Sequence, residues 1–115
     1  MPHRDWRIRI HDILAAIKAI TEYTRGMDYE TFASDQKTID AVLRNITVIG
    51  EAASRIPNDV TVAHPEIPWR DMRDMRNLLV HEYFGVSTQI LWDTVQGNLP
   101  SLVPSLESVI KLEAS

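Results

Sequence analysis

Cysteine is absent from the 115-residue chain, and so are long apolar runs, low-complexity tracts and an excess of basic residues. The lack of cysteine excludes disulfides and thiolate metal sites. No apolar run approaches the roughly 20 residues that a membrane-spanning helix needs, and the first residues contain no uninterrupted apolar segment of the kind found in signal peptides. We therefore expect a cytoplasmic protein that has no membrane partner.

The formal net charge is −4, which argues against nonspecific binding to nucleic acid, because such binding depends on neutralising phosphates. Any contact with RNA must therefore be local. The arginines are concentrated in two places, Arg4, Arg7 and Arg9 near the start and Arg70, Arg73 and Arg76 in the centre. For Arg70 and Arg73 the simplest interpretation is a solvated face of mixed charge, since Asp71 and Asp74 alternate with the three central arginines.

Apolar residues recur at three- and four-residue spacing along most of the chain, which predicts amphipathic helices. The predicted helices span residues 4–24, 34–55, 68–85, 87–99 and 101–112, with short helical turns at 28–33 and after Pro57. Pro100 is expected to separate the last two helices, with Pro104 in the first turn of the final one. We predict a single domain, residues 1–115, with an all-α fold: an antiparallel bundle of four to five helices joined by short helical turns.

The central stretch, PWRDMRDMRNLLVHEYFG at residues 68–85, is predicted to form one helix of about five turns. Pro68 suits a first helical position and Gly85 suits the residue after the helix end. Within the stretch, Arg76, His81 and Tyr83 follow the spacing Arg-x4-His-x-Tyr.

An unusually wide apolar arc surrounds Arg76 on this predicted helix. It contains Trp69, Met72, Met75, Leu78, Leu79 and Val80. A buried unpaired guanidinium is prohibitively costly, so Arg76 must have a partner, lie at a wet cleft or face another chain. Glu51 is either that partner or a surface carboxylate, and the preceding Gly50 indicates that another backbone approaches the 34–55 helix closely.

Arginine and histidine without a nucleophilic cysteine or a ligand cluster indicate phosphate chemistry. Arg76 offers donors that match phosphate oxygens, and His81 can exchange a proton with a ribose 2′-hydroxyl or a 5′-oxygen. The pair suffices to cleave RNA without a metal or cofactor, leaving a 2′,3′-cyclic phosphate. The alternative for His81 is a helix-end histidine that contacts the last carbonyls. An ideal helix places His81 about 140° from Arg76, so convergence needs the long arginine side chain, a loosened last turn or a second copy of the helix.

Taken together, these motifs resemble the HEPN superfamily, and more closely its HepT-like toxin branch. RNLLVHEY matches the Arg-x4-His-x-Tyr signature of that branch, with Asn77 as the polar residue after the arginine. The Pro68–Trp69 pair, the IGEA sequence at residues 49–52 and the YFG that ends the central stretch are similar as well. The resemblance covers nearly the whole chain.

The resemblance implies a homodimeric ribonuclease toxin of a type VII-like toxin–antitoxin pair that cuts tRNA or mRNA. It implies that Arg76 binds the scissile phosphate, that His81 is the general acid or base, and that Asn77 orients one of them. It further implies that a minimal nucleotidyltransferase antitoxin of the MntA type transfers AMP to Tyr83. Glu51 and Arg73 are candidate supporting residues.

Two other functions remain open from the sequence. One is a noncatalytic HEPN adaptor that binds a nucleotide or a partner nucleotidyltransferase, and the other is a plain helical dimerisation domain. Tyr83 also has a purely structural interpretation, as a half-buried aromatic residue of the core. Growth arrest on expression, relieved by His81→Ala or Arg76→Ala, separates a toxin from an adaptor.

Overall fold

The computed structural model describes residues 2–77 and 88–114, with side chains at 6–77 and 88–112. All regular structure in these residues is helical. The elements in chain order are α1 (Pro2–Thr24), α2 (Tyr29–Ala33), α3 (Gln36–Ser54), α4 (Asn58–Ala63), α5 (Trp69–Asp74), α6 (Thr88–Asp93), a π-helical turn (Thr94–Asn98) and α7 (Leu99–Ala114). The predicted all-α bundle is confirmed, whereas the predicted homodimer stays a prediction.

The two long helices, α1 and α3, form the centre of the bundle. Ile10 and Ile13 from α1 and Ile46 and Ile49 from α3 are fully buried, as their three- and four-residue spacing predicts. Helices α5 and α7 pack against this pair, and the buried apolar side chains form one continuous cluster. No helix in the described residues is long and apolar enough to cross a membrane.

The short connections follow local backbone chemistry. Gly26 ends α1 with a φ of +77°, a left-handed conformation that glycine adopts without strain. Asp28 caps α2 by accepting a hydrogen bond of 2.8 Å from the N–H of Thr31, and Asp35 caps α3 through the N–H of Thr38 at 3.1 Å. The short helix α2 and the helical turn after Pro57 agree with the sequence analysis, and α3 begins at Gln36, close to the predicted start at residue 34. The start of α1 differs from the prediction, because the helix begins at Pro2, two residues before the predicted start at residue 4.

The end of the chain corrects the prediction about its prolines. Residues 88–114 are helical throughout, so Pro100 does not separate two helices. A proline ring clashes with the carbonyl of the residue four positions earlier, and the π-helical turn Thr94–Asn98 widens the backbone where that carbonyl lies. Pro104 lies inside α7 rather than in a first turn.

The central helix also differs from its prediction. Pro68 is the N-cap, one position before the first helical residue, Trp69. The α-helical pattern is interrupted at Met75, whose N–H bonds the carbonyl of Met72 three residues back at 3.2 Å, and it resumes at Arg76 and Asn77. The remainder of the predicted five-turn helix, residues 78–85, lies outside the described residues.

Candidate active site

At Gly50, helix α3 contacts the end of α5 and the residues that follow it. A Cβ atom built at Gly50 would overlap Cγ of Arg76 and would lie 3.2 Å from its backbone nitrogen and 3.3 Å from the carbonyl oxygen of Arg73. Only a residue without a side chain fits this contact. The close backbone approach predicted at Gly50 is therefore confirmed, and the backbone it meets is that of Arg76.

The buried indole of Trp69 fixes the beginning of α5. Its Nε1–H donates a 2.9 Å hydrogen bond to the carbonyl of His64, and the side chain is only 6% exposed. The sequence analysis assigned Trp69 to the apolar arc alone and missed this anchor. The sequence could have indicated this hydrogen bond, because a tryptophan on the apolar side of a helix is expected to be buried and its N–H then usually needs an acceptor.

The Arg76 guanidinium is held at two of its three nitrogens. Nη1 donates to Oε2 of Glu51 at 3.1 Å, and Nε donates to the carbonyl oxygen of Arg73 at 3.3 Å. That carbonyl is also the acceptor that the N–H of Asn77 would use in a regular α-helix. Among the described residues Nη2 has no hydrogen-bond partner.

Glu51 is the partner that Arg76 required, but the pair is not buried. The two side chains are 45% and 49% exposed, so Arg76 has both a partner and access to solvent. An exposed ion pair of this kind contributes only about 0–1 kcal/mol to folding. Its main physical effect is to restrict where the guanidinium points.

The structure gives different results for Arg73 and Asn77, two residues that the sequence analysis predicted to belong to the site. Arg73 supports Arg76 through its backbone carbonyl, while its side chain is exposed. Asn77 is exposed too, and within the described residues its amide makes no hydrogen bond to Arg76. His81 and Tyr83 lie outside the described residues, and their roles stay predictions.

Metal binding requires several closely spaced ligands. Among the described residues, no group of three histidine, aspartate or glutamate side chains could hold a metal ion. The chemistry of the described part of the site is therefore that of one half-exposed cation beside one carboxylate.

Comparison with known proteins identifies the family of the chain. A family model described as "Ribonuclease HepT-like" matches residues 13–109. The chain belongs to the HepT-like ribonuclease family. The resemblance inferred from the central motif is thereby confirmed.

Full-length relatives support the same assignment. A protein of Thermococcus cleftensis named "Probable ribonuclease HepT" is 47% identical over 109 residues, which are 95% of this chain and 96% of the relative. A protein of Methanocaldococcus jannaschii that also has an RNase name is 39% identical over 111 residues, which are 96% of this chain and 92% of the relative. No solved structure matches the chain.

Membership in the HepT-like family gives the α3–α5 contact its significance. The matched region contains Gly50, Glu51 and Arg76 together with the whole Arg-x4-His-x-Tyr motif. The structure brings the IGEA sequence of α3 against the first half of that motif. Two segments that lie 25 residues apart in the sequence are thus in contact.

Proposed function

We propose that this HepT-like protein is an endoribonuclease that cleaves RNA without a metal ion and acts in the cytoplasm as the toxin of a type VII-like toxin–antitoxin pair. Family membership supports the ribonuclease activity. The observation that carries the proposal in the structure is the Arg76 guanidinium, which is fixed at Nε and Nη1 and still 45% exposed. A fixed, accessible guanidinium is suited to bind a phosphate that becomes more negative during reaction.

The reaction is an internal transesterification. The ribose 2′-oxygen attacks the adjacent phosphorus while the bond from phosphorus to the 5′-oxygen breaks. The 2′-hydroxyl proton goes to a general base, and the departing 5′-oxygen receives a proton from a general acid; His81 acts in one of these steps. Arg76 stabilises the charge on the non-bridging oxygens, and Asn77 orients Arg76 or His81. The products are a 2′,3′-cyclic phosphate and a 5′-hydroxyl.

Glu51 has a defined part in this scheme. By accepting from Nη1 of Arg76 it restrains the guanidinium, and Nη2 would donate to the substrate phosphate. Glu51 does not touch the reacting atoms and is therefore a positioning residue. Its carboxylate also offsets the positive charge of Arg76 when no RNA is bound. This agrees with the net negative charge of the chain, −4.

Regulation is proposed to act on Tyr83. A minimal nucleotidyltransferase antitoxin would transfer AMP from ATP to the phenolic oxygen, with pyrophosphate as the leaving group. The added phosphate would place negative charge next to the position that the RNA phosphate must occupy. Two copies of the chain would form the active dimer.

The decisive experiment incubates the purified protein with total RNA in the presence of EDTA. We expect wild type to produce fragments with 2′,3′-cyclic phosphate ends, and we expect His81→Ala and Arg76→Ala to leave RNA intact while remaining folded. Arg44→Gln, an exposed arginine on α3, is the matched control and should cleave like wild type. If wild type leaves RNA intact, the adaptor function replaces the nuclease.

A second experiment tests the toxin assignment. Expression of wild type alone should arrest growth, and co-expression with the neighbouring nucleotidyltransferase should restore it. Intact-mass measurement of the co-expressed protein should show AMP-sized additions that Tyr83→Phe abolishes. Additions that persist in Tyr83→Phe would contradict the assignment of that tyrosine.

A further inference from the structure

An open cleft of about 410 Å3 lies between α4 and α5, next to the candidate active site. Six of its lining residues matter here: Val62, Pro68, Trp69, Arg70, Asp71 and Arg73. One wall is apolar and the other carries charge. Neither the sequence motif nor the proposed chemistry uses this cleft.

The charged wall presents two guanidinium groups to solvent. Arg70 and Arg73 are both exposed, and in the part of the chain that the structure describes neither side chain has a hydrogen-bond or ion-pair partner. They lie three positions apart on α5, so their Cβ atoms are about 5–6 Å from each other on one face of the helix. Unpaired arginines at this spacing can bind successive phosphates of one strand.

The cleft ends at Arg73, a residue that also contacts Arg76. The carbonyl of Arg73 accepts the hydrogen bond from Nε of Arg76, so the residue that lines the cleft also holds the candidate phosphate-binding side chain. Arg70, Arg73 and Arg76 therefore form a row of three cations at every third position. A polynucleotide whose scissile phosphate contacts Arg76 would reach Arg73 and then Arg70 as it passes along α5.

The apolar wall suits a nucleobase. Val62 is 68% exposed at the rim of the cleft, and Pro68 is exposed beside it. Grooves that bind single-stranded nucleic acid combine cations that follow the backbone with apolar faces that pack on bases. Asp71 is also exposed in the cleft, and its negative charge opposes the binding of an anion. Removing that charge should therefore have the opposite effect to removing the charge of Arg70 and Arg73.

We propose that Arg70 and Arg73 form a subsite that binds the phosphates of single-stranded RNA on one side of the scissile bond. The proposal rests on the proposed nuclease function, because it takes Arg76 as the residue that binds the scissile phosphate. It also explains how a chain of net charge −4 holds RNA, namely through a local row of cations.

Fluorescence anisotropy at several salt concentrations tests the subsite. The probe is a labelled 2′-O-methyl oligoribonucleotide of about 16 nucleotides, which lacks the attacking hydroxyl and so reports binding without cleavage. For single strands, the slope of log affinity against log salt changes by about 0.7 for each phosphate contact. Arg70→Gln/Arg73→Gln should therefore make the slope shallower by about 1.4.

The matched control is Lys37→Gln/Arg44→Gln, which removes the same charge from exposed residues of α3 and should leave the slope unchanged. Asp71→Asn should strengthen probe binding, and it keeps the test informative if the double arginine variant does not fold. Equal slopes in both double variants, or a wild type that does not bind the probe, would overturn the subsite. If the double arginine variant shows the expected shallower slope but the wild type does not cleave RNA, the nuclease proposal is refuted, and binding of RNA phosphates by Arg70 and Arg73 is retained.

Discussion

Gly50→Ala tests whether the contact between α3 and α5 positions Arg76. Alanine gains about 1 kcal/mol over glycine in a helix interior. Against this, the new methyl group would overlap Cγ of Arg76 and press on two backbone atoms, at 3.2 and 3.3 Å. Overpacking of this kind costs about 1–3 kcal/mol, so the net change should be a loss of about 0–2 kcal/mol.

Gly97→Ala is the matched control. Gly97 lies in the π-helical turn, and a Cβ atom there would meet nothing within 4 Å. This variant should gain up to about 1 kcal/mol from helix propensity without a clash. The difference between the two variants then isolates the cost of the contact, about 1–3 kcal/mol, or roughly 4 °C in melting temperature per kcal/mol for a domain of this size.

Urea and thermal denaturation of both variants measure this difference, and RNA cleavage measures its functional effect. Because a misplacement of about 1 Å can cost about 100-fold in rate, Gly50→Ala should lose far more activity than its small loss of stability explains. Gly97→Ala should keep wild-type activity. If both variants are equally stable and equally active, the contact at Gly50 does not position Arg76.

Three further predictions follow from single contacts. Glu51→Gln should change the free energy of unfolding by less than about 1 kcal/mol, because its pair with Arg76 is exposed, yet reduce kcat/KM by up to about 100-fold. Hydrogen bonds from the backbone N–H and hydroxyl of Thr38 lower the pKa of Asp35. The stability from this cap is therefore present above about pH 4 and is lost as the pH falls through the lowered pKa. Thermal melts of Asp35→Asn at several pH values should lack that part of the pH dependence. Phe32→Ala should cost about 3–5 kcal/mol in urea denaturation, since Phe32 is fully buried.

The long helices were predictable because the determining interactions are local. The spacing of apolar residues identified α1 and α3. The prolines of α7 were not predictable in the same way. Propensity rules assume a regular α-helical backbone, whereas the π-helical turn relieves the clash at Pro100 by changing the hydrogen-bond register.

The candidate site was only half predictable, for a different physical reason. The wide apolar arc required Arg76 to have a partner, a wet cleft or another chain, but the spacing could not choose among them. The choice depends on Glu51, which is 25 residues away in sequence and is brought to Arg76 by the packing at Gly50. The interruption of the α-helix at Met75 was not predictable either, because the neighbouring sequence contains no glycine or proline that would mark it.

The wide apolar arc also bears on the dimer. In the described residues the arc is explained by the chain's own core, because Trp69, Met72 and Met75 are 6%, 0% and 7% exposed. The argument for a second copy therefore depends on the geometry of Arg76 and His81, which an ideal helix places about 140° apart. If the active site combines Arg76 of one chain with His81 of the other, each chain alone is incomplete.

A mixing experiment distinguishes that arrangement from a site within one chain. In a two-fold symmetric dimer, a mixed dimer of Arg76→Ala and His81→Ala chains would contain one site with both side chains intact and one with neither. Random exchange makes half of the dimers mixed, so cleavage should return to about a quarter of the wild-type level. If both residues act from the same chain, every site lacks one of them and the mixture stays inactive. Sedimentation of each variant alone must show a dimer, because a monomer would remove the basis for shared sites.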